Sequence, residues 1–274
     1  GSGIPAAHWD MIVGTKAPKD FDIVTDATPS KIKKIFRNSR IIGRRFRLVH
    51  VVFGKKIFEV STFRSNAEGS VGNDFGTIEE DVLRRDFTLN ALYYDPLQEQ
   101  VIDYVGGMKD IKKHVLKPVI DLDRIFVEDP VRMLRAIKYS ATTHAKMSRS
   151  LRHKIISSAS LLSQISPSRL TEELLKIINS TYAYEIISEA LETDLFMYLQ
   201  PSATGLIYEN KKYEKDYMQS IKELSLLNKT NPEVRLGKKM IFLIRDFVYQ
   251  LTDWEKEIEA KTPFSELYGK TWAE

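Results

Sequence analysis

The chain of 274 residues carries 43% hydrophobic and 28% charged side chains and no cysteine, a composition expected of a soluble globular protein with room for two modest domains. Disulfides, a thiol nucleophile and any cysteine-containing zinc site are excluded. The net charge of +4 conceals an asymmetry: between Lys31 and Arg64 eleven basic side chains stand against one acid, Glu59, a local net of +10 against −6 for the rest. An excess of that size draws polyanions and makes their binding salt-dependent.

Gly1-Ser2-Gly3 reads as a remnant of expression and carries no fold information. No charged-then-apolar leader follows, and no apolar run approaches the ~20 residues that span a bilayer. The expectation is a cytoplasmic protein without a membrane anchor, acting as a monomer. Residues 21–25, Phe-Asp-Ile-Val-Thr, read as a strand, and Asp26 to Ser30 as a turn and helix start. Apolar spacing from Pro29 to Arg37 predicts a short amphipathic helix. Ile41 to Phe53 and Lys56 to Phe63, rich in Val, Ile and Phe and split by Gly54-Lys55, read as a β-hairpin. Asp86 to Tyr94 fits a helix or a strand, and Val101 to Tyr104 a strand before Gly106-Gly107.

Beyond Asp129 the pattern becomes helical. Residues 130–141, 147–163, 167–179, 184–191, 213–227 and 236–251 all show i, i+3, i+4 apolar spacing. Asp129-Pro130 and Ser166-Pro167 suit helix starts, with the polar residue capping and proline at the first helical position. The five histidines, His8, His50, His114, His144 and His153, are scattered and read as surface or packing residues rather than ligands.

Three clusters carry chemistry. In Asp20-Phe21-Asp22 strand alternation sends both carboxylates to one face, where they repel unless a cation lies between them. Oxygen-only ligands of this kind suit Mg²⁺. Glu59, flanked by Ile57, Phe58 and Val60, becomes a third ligand if its strand lies beside the first. Three carboxylates can hold two metals about 3.5–4 Å apart. Alternatively Glu59 lies on a solvent face paired with Lys56 or Arg47. The second cluster runs from Arg84 through Arg85 and Asp86 to Asn90. Its arginines could grip phosphates through paired hydrogen bonds, or join Glu79, Glu80 and Asp81 in a structural network. The third is Asp129 with Arg132 and Arg135 on one helix face, where an Asp and an Arg together could read a base edge, or Asp129 could cap and pair with Arg132. Arg44, Arg45, Arg47, Lys55 and Lys56 are candidate RNA contacts, or a solvated basic face.

Together these residues resemble a known family, the nucleotidyltransferases with a DNA-polymerase-beta-like head that comprise bacterial poly(A) polymerases and CCA-adding enzymes. Residues 19–25 (Lys-Asp-Phe-Asp-Ile-Val-Thr), 84–92 (Arg-Arg-Asp-Phe-Thr-Leu-Asn-Ala-Leu), 103–107 (Asp-Tyr-Val-Gly-Gly) and 128–136 (Glu-Asp-Pro-Val-Arg-Met-Leu-Arg-Ala) stand in family order. Ser168 to Glu173 looks like a later helical motif. The resemblance covers about residues 11 to 200, and the stretch from Ile41 to Val51 is similar to the poly(A) polymerase branch.

The resemblance implies an α+β fold: a nucleotidyltransferase head with a mixed sheet over residues 4–115, a helical neck over 116–180 and a helical body over 181–274. It implies template-independent addition of AMP from ATP to RNA 3′ ends, with magnesium held by Asp20, Asp22 and Glu59 and an active-site role for Asp86. Arg85 and Asp86 would contact the ribose and phosphates, with Arg84 and Asn90 as further nucleotide-binding candidates, Asp129 and Arg132 would face the base, and Arg135 and Arg169 would brace the pocket. The family's Gly-Gly-x-Val-Arg-Asp turn is replaced here by Pro5-Ala6-Ala7-His8-Trp9-Asp10, with one extra residue between Gly14 and Asp20. Alanine resists the positive φ that glycine adopts, so the triphosphate cradle is expected to be altered. The chain is also short for this branch, which implies a curtailed basic carboxy-terminal region. Addition of CCA to tRNA and a non-catalytic RNA-binding relic are the alternative readings.

Overall fold

The computed structural model describes residues 22–43, 47–65, 74–252, 254–261 and 263. Two compact units result, one containing the chain to Glu128 together with Thr143–Leu151, the other Asp129–Thr142 and everything from Arg152 onward.

In the first unit, strand β1 (Asp22–Thr25) leads into helix α1 (Pro29–Ile35), followed by β2 (Ser39–Ile42), β3 (Leu48–Phe53) and β4 (Lys56–Thr62). Among the described residues these strands form a sheet in the order β1-β4-β3-β2, with β1 parallel to β4 and the other pairs antiparallel. The stretch from Ile41 to Phe53, expected to run as one strand, is instead two, because the chain turns after Ile42 at Gly43, whose φ is +89°. The hairpin joining β3 to β4 has the expected position. Its two-residue turn puts positive φ on Gly54 alone, at +58°, the pattern glycine permits at the first turn position.

Alternation sorts the sheet into two faces. Val49, Val51 and Val60 point to one and pack with Ile32 of α1 and with Ala27. Burying each such side chain contributes roughly 1.5–3 kcal/mol. Thr28 caps α1 by accepting a hydrogen bond from the Lys31 N–H, and Pro29 stands at its first turn.

The rest of this unit frames a turn. Helix α2 (Ile78–Leu83) opens with a capping box in which Thr77 accepts from the Glu80 N–H and Glu80 accepts from the Thr77 N–H. The segment that fitted either a helix or a strand divides into a 3₁₀ turn, Thr88–Asn90, and strand β5 (Leu92–Asp95), paired with β6 (Gln100–Asp103). Backbone bonds from Thr88 N–H to the Lys117 carbonyl (2.9 Å) and from Val119 N–H to the Asp86 carbonyl (3.0 Å) stop residues 86–88 from continuing as a helix. Helix α3 (Gly107–Lys112) and strand β7 (Val115–Leu116) follow, then α4 (Leu122–Glu128).

From Val131 the chain is helical: α5 (Val131–Thr143), α6 (Arg149–Ser158), α7 (Pro167–Ile178), α8 (Ala183–Glu192), α9 (Pro201–Glu209), α10 (Lys211–Thr230), α11 (Leu236–Leu251) and α12 (Trp254–Glu259). Three features depart from expectation, the first being the short α12 beyond the last helix foreseen. A two-residue strand β8 (Lys146–Met147) interrupts the helices and pairs with β7. Helix α9, opened by Pro201, carries Ser, Ala, Thr and Gly rather than a clear apolar stripe, so periodicity did not reveal it. The second unit closes around Phe196, Tyr217, Ile221 and Leu224, all buried. Asn228 of α10 stitches it to the end of α7, donating to the carbonyls of Ile178 and Ser180 at 2.8 Å each. No helix of the described residues is long and apolar enough to cross a membrane.

Candidate active site

One cross-strand row defines the candidate site. Asp22 of β1 is in register with Glu59 of β4, Glu59 with His50 of β3, and His50 with Arg40 of β2. Partners in register project to the same face, and this one is opposite the Val49–Val51–Val60 core. Neighbouring strands lie about 4.8 Å apart, so two carboxylates face one another across a single strand spacing.

Glu59 is half-exposed, and its Oε1 lies 3.1 Å from His50 Nε2. A carboxylate only accepts, so the imidazole Nε2–H is the donor. Lys56, considered as a partner for Glu59, is in register with Phe53 and shares the opposite face with Val60. Asp20 lies outside the described residues. Among the described residues no three His, Asp or Glu side chains gather into a metal-holding cluster, so Asp86 does not join Asp22 and Glu59 as a third member. Two oxygen donors from adjacent strands, mutually repulsive without a counter-charge, nevertheless fit a hard divalent cation.

The second cluster is a scaffold wound around Arg85. Its Nη2 donates to Asp81 Oδ2 at 2.9 Å, its Nε to Tyr93 Oη at 3.1 Å and its Nη1 to the Asn90 carbonyl at 3.3 Å. The guanidinium also lies over the Tyr93 ring, 5.0 Å from its centroid. Tyr93 Oη donates to the same Asp81 oxygen at 2.6 Å, and Asp81 Oδ1 accepts from the Arg64 N–H at 3.1 Å. Of the two readings left open for these arginines, Arg85 takes the structural network, with Asp81 as its acid. Arg84 Nη1 donates to the Ser65 carbonyl. Burial pushes the Asp81 carboxyl up, but the Arg85 charge and the hydrogen bonds from Tyr93, Arg85 and Arg64 outweigh it and hold the group below its ordinary value. Burial, with Asp81 beside it, drives the Tyr93 phenol upward.

Asp86 is buried, its Oδ1 accepting from the Phe87 N–H at 2.8 Å. Asn90 is buried as well, and its Nδ2 has no hydrogen-bond partner. A buried donor left unmet costs about 1–3 kcal/mol.

The Asp103-Tyr104-Val105-Gly106-Gly107 stretch has a structural explanation. Asp103 Oδ1 accepts from the N–H groups of Val105, Gly106 and Gly107, and Oδ2 from that of Met108. A Cβ on Gly107 would stand 2.3 Å from the Thr88 carbonyl oxygen, so glycine lets α3 close on the Thr88–Asn90 turn. Thr88 Oγ1 completes the contact by donating to Asp110 at 2.8 Å.

In the second unit Asp129 acts twice: Oδ1 accepts from the Val131 N–H at 3.2 Å, starting α5 as expected, and Oδ2 accepts from Arg169 Nη2 at 2.7 Å. The acid that Arg132 was considered to pair with is thus engaged by Arg169 of α7. Arg135 donates to Tyr139 Oη at 3.0 Å. Arg47, Lys55 and Lys56 are exposed in the first unit, while Arg44 and Arg45 lie outside the described residues.

Sequence reasoning missed His50 on the site face and, around Arg85, Tyr93 and the choice of Asp81 among the three acids considered. The first had a signal: counting back from a two-residue turn at Gly54-Lys55 places His50 opposite Glu59. The others depend on a contact between α2 and β5 that no local pattern announces.

The sequence matches the family described as "Poly A polymerase head domain" over residues 8–117. It also matches the one described as "Probable RNA and SrmB- binding site of polymerase A" over residues 146–206. It is 45% identical over 217 residues to the poly(A) polymerase I of Escherichia coli O157:H7, a match covering 73% of this chain and 46% of that one. The chain belongs to the poly(A) polymerase family of nucleotidyltransferases. Identity to the CCA-adding enzyme of Bacillus licheniformis is lower, 34% over 202 residues, covering 72% of this chain and 49% of that one. In three dimensions the chain is similar to the crystal structure of the Bacillus stearothermophilus CCA-adding enzyme in complex with CTP. That likeness has a TM-score of 0.66 at 24% identity and covers 90% of this chain and 78% of the other. It identifies the fold as a nucleotidyltransferase head with a mixed sheet followed by a helical region. The chain spans about half the length of the curated relatives it matches.

Proposed function

We propose that this protein transfers AMP from ATP to the 3′ end of RNA without a template. The supporting observation is the register of Asp22 on Glu59 across one sheet face, in a chain more similar to a poly(A) polymerase I than to a CCA-adding enzyme. In this reading the head spans residues 4–115, the neck 116–180 and the body 181–274.

The reaction is in-line substitution at the α-phosphate. The RNA 3′ oxygen bonds to the α-phosphorus, the bond to the bridging oxygen breaks, pyrophosphate leaves with the electron pair, and the hydroxyl proton passes to solvent. Asp22 and Glu59, with Asp20, would hold divalent cations. Magnesium bound there, two ions in this proposal, would neutralise charge developing on the attacking and leaving oxygens. Asp86 takes an active-site role, and its contact with the Phe87 N–H fixes the head of the turn that carries Asn90. Asn90 Nδ2 is a donor suited to a ribose or phosphate oxygen, with Arg84 and Arg85 as its companions. Arg85 contributes by holding that turn through the Asn90 carbonyl. In the second unit Asp129 and Arg132 would serve the base, braced by Arg135 and Arg169. Arg44, Arg45, Arg47, Lys55 and Lys56 would draw the RNA backbone, an electrostatic role that positions without reading sequence. The protein is expected to be a cytoplasmic monomer.

Incubation with radiolabelled ATP, Mg²⁺ and an oligo(A) primer tests the proposal. Extension by wild type and its reduction on the order of 100-fold or more in Asp22→Asn are the expected results. Failure of wild type to extend the primer, or equal extension by the variant, rules it out.

The similarity to CCA-adding enzymes in sequence and fold supports a second reading. Efficient incorporation from CTP into a tRNA lacking its terminal CCA would move the protein to that branch. Salt-dependent RNA retention and intact ATP binding without turnover would identify an RNA-binding relic.

A further inference from the structure

We propose that His50 is a positioning residue for Glu59, a role that rests on the reading of Asp22 and Glu59 as cation ligands. Glu59 occupies the middle of a three-strand contact, with Asp22 in register on one side and His50 on the other. The two flanks act oppositely. Asp22 repels the Glu59 carboxylate, whereas His50 offers it a donor at 3.1 Å.

A half-exposed glutamate has several torsions free to rotate, and a carboxylate on the adjacent strand disfavours the rotamers that approach it. The His50 N–H fixes Oε1 and leaves Oε2 as the free oxygen on the face shared with Asp22. The ligand is thereby ordered before any cation arrives, so less disorder has to be removed on binding. His50 is the less exposed of the two, its side chain being 26% exposed against 50% for Glu59, and a partly buried ring is a firmer anchor than a surface lysine.

A cross-strand pair placed only for sheet stability could sit at any position of the hairpin. This one falls on the glutamate that is registered with Asp22. It also gives the Ile41 to Val51 stretch a task besides its positive charge: its strand end delivers an N–H donor to the carboxylate row. The other group in register on this face beyond His50 is Arg40, at the far edge.

The test measures Mn²⁺ binding by the decrease of the free-ion electron paramagnetic resonance signal, without nucleotide or RNA. Wild type is compared with His50→Leu, which removes the donor, His50→Gln, whose amide nitrogen reaches the Nε2 position, and His50→Asn, whose shorter amide does not. Outer partners of metal ligands typically change affinity 10–100-fold. Leu and Asn are expected to weaken Mn²⁺ binding by about tenfold and Gln to stay within about threefold of wild type. Should Leu fail to fold by circular dichroism, the Asn–Gln comparison decides alone. Wild-type affinity in the Asn variant, or a Gln variant as weak as Asn, overturns the inference. A Glu59→Gln control that binds Mn²⁺ as wild type does would overturn the metal reading beneath it, a result separable from the first because it does not involve residue 50.

Discussion

Asp129 and Arg169, forty residues apart in the chain, meet at 2.7 Å, while the other oxygen of the same carboxylate holds the Val131 N–H. One side chain therefore both starts α5 and ties it to α7. Replacing Asp129 by alanine should cost roughly 1–2 kcal/mol, mostly the lost cap. Arg169→Ala should cost less, since Arg169 is 46% exposed and exposed ion pairs contribute at most about 1 kcal/mol. A double-mutant cycle by urea denaturation should return a coupling of about 0.5–1 kcal/mol. Strict additivity would show that the contact does not persist in solution.

The Asp81 carboxylate is held below its ordinary pKa by Arg85, Tyr93 and the Arg64 N–H despite its burial. A group depressed in the folded state contributes stability that is complete above its unfolded value, near 3.9, and is lost as pH falls through the lower folded value. Asp81→Asn, which removes the carboxylate charge from beside Arg85, should destabilise the first unit by about 2–4 kcal/mol at pH 7. The gap to wild type should narrow as pH drops below about 4. Thermal melts of both proteins from pH 7 to 3 check this, and a gap unchanged across that range would contradict it.

Two adjacent glycines separate two kinds of constraint. Gly106 has φ +80° and open space around its Cβ position, whereas Gly107 would drive a Cβ to 2.3 Å from the Thr88 carbonyl oxygen. Gly106→Ala should cost about 1 kcal/mol from backbone strain. Gly107→Ala should cost about 2–3 kcal/mol from overpacking, and should also lower primer extension by displacing the Thr88–Asn90 turn. Chemical denaturation with a parallel activity assay distinguishes them; equal stability losses would mean that the turn yields freely.

Much of this arrangement was legible beforehand. The strand at Asp22, the Gly54-Lys55 turn, the start of α5 at Asp129 and the limits of α11 follow from alternation, turn chemistry and apolar spacing, all of them local. The Arg85 network was legible only as one of two options, because a guanidinium serves a phosphate or a carboxylate equally well until its neighbours are known. Helix α9 and the break at Gly43 were not legible. The first lacks an apolar stripe, and the second is set by strand pairing rather than by composition.

Electrostatic recruitment of RNA should be visible in its salt dependence. Each phosphate contact to a single strand contributes a slope of about −0.7 in log affinity against log salt. Lys55→Ala and Lys56→Ala, both at exposed positions, should each make the slope shallower by about that amount. Filter binding of oligo(A) over a series of KCl concentrations measures it, and slopes equal to wild type would remove the hairpin end from the RNA path.

The tight reversal of chain at Gly54-Lys55 ties turn length to chemistry through counting alone. Substituents along the outer hairpin can drift while the carboxylate row stays intact, provided the number of residues between Phe53 and Lys56 is kept. One insertion there would reassign the neighbours of Glu59 without altering a single ligand, so length variants in this loop should be far scarcer among active relatives than changes of side chain.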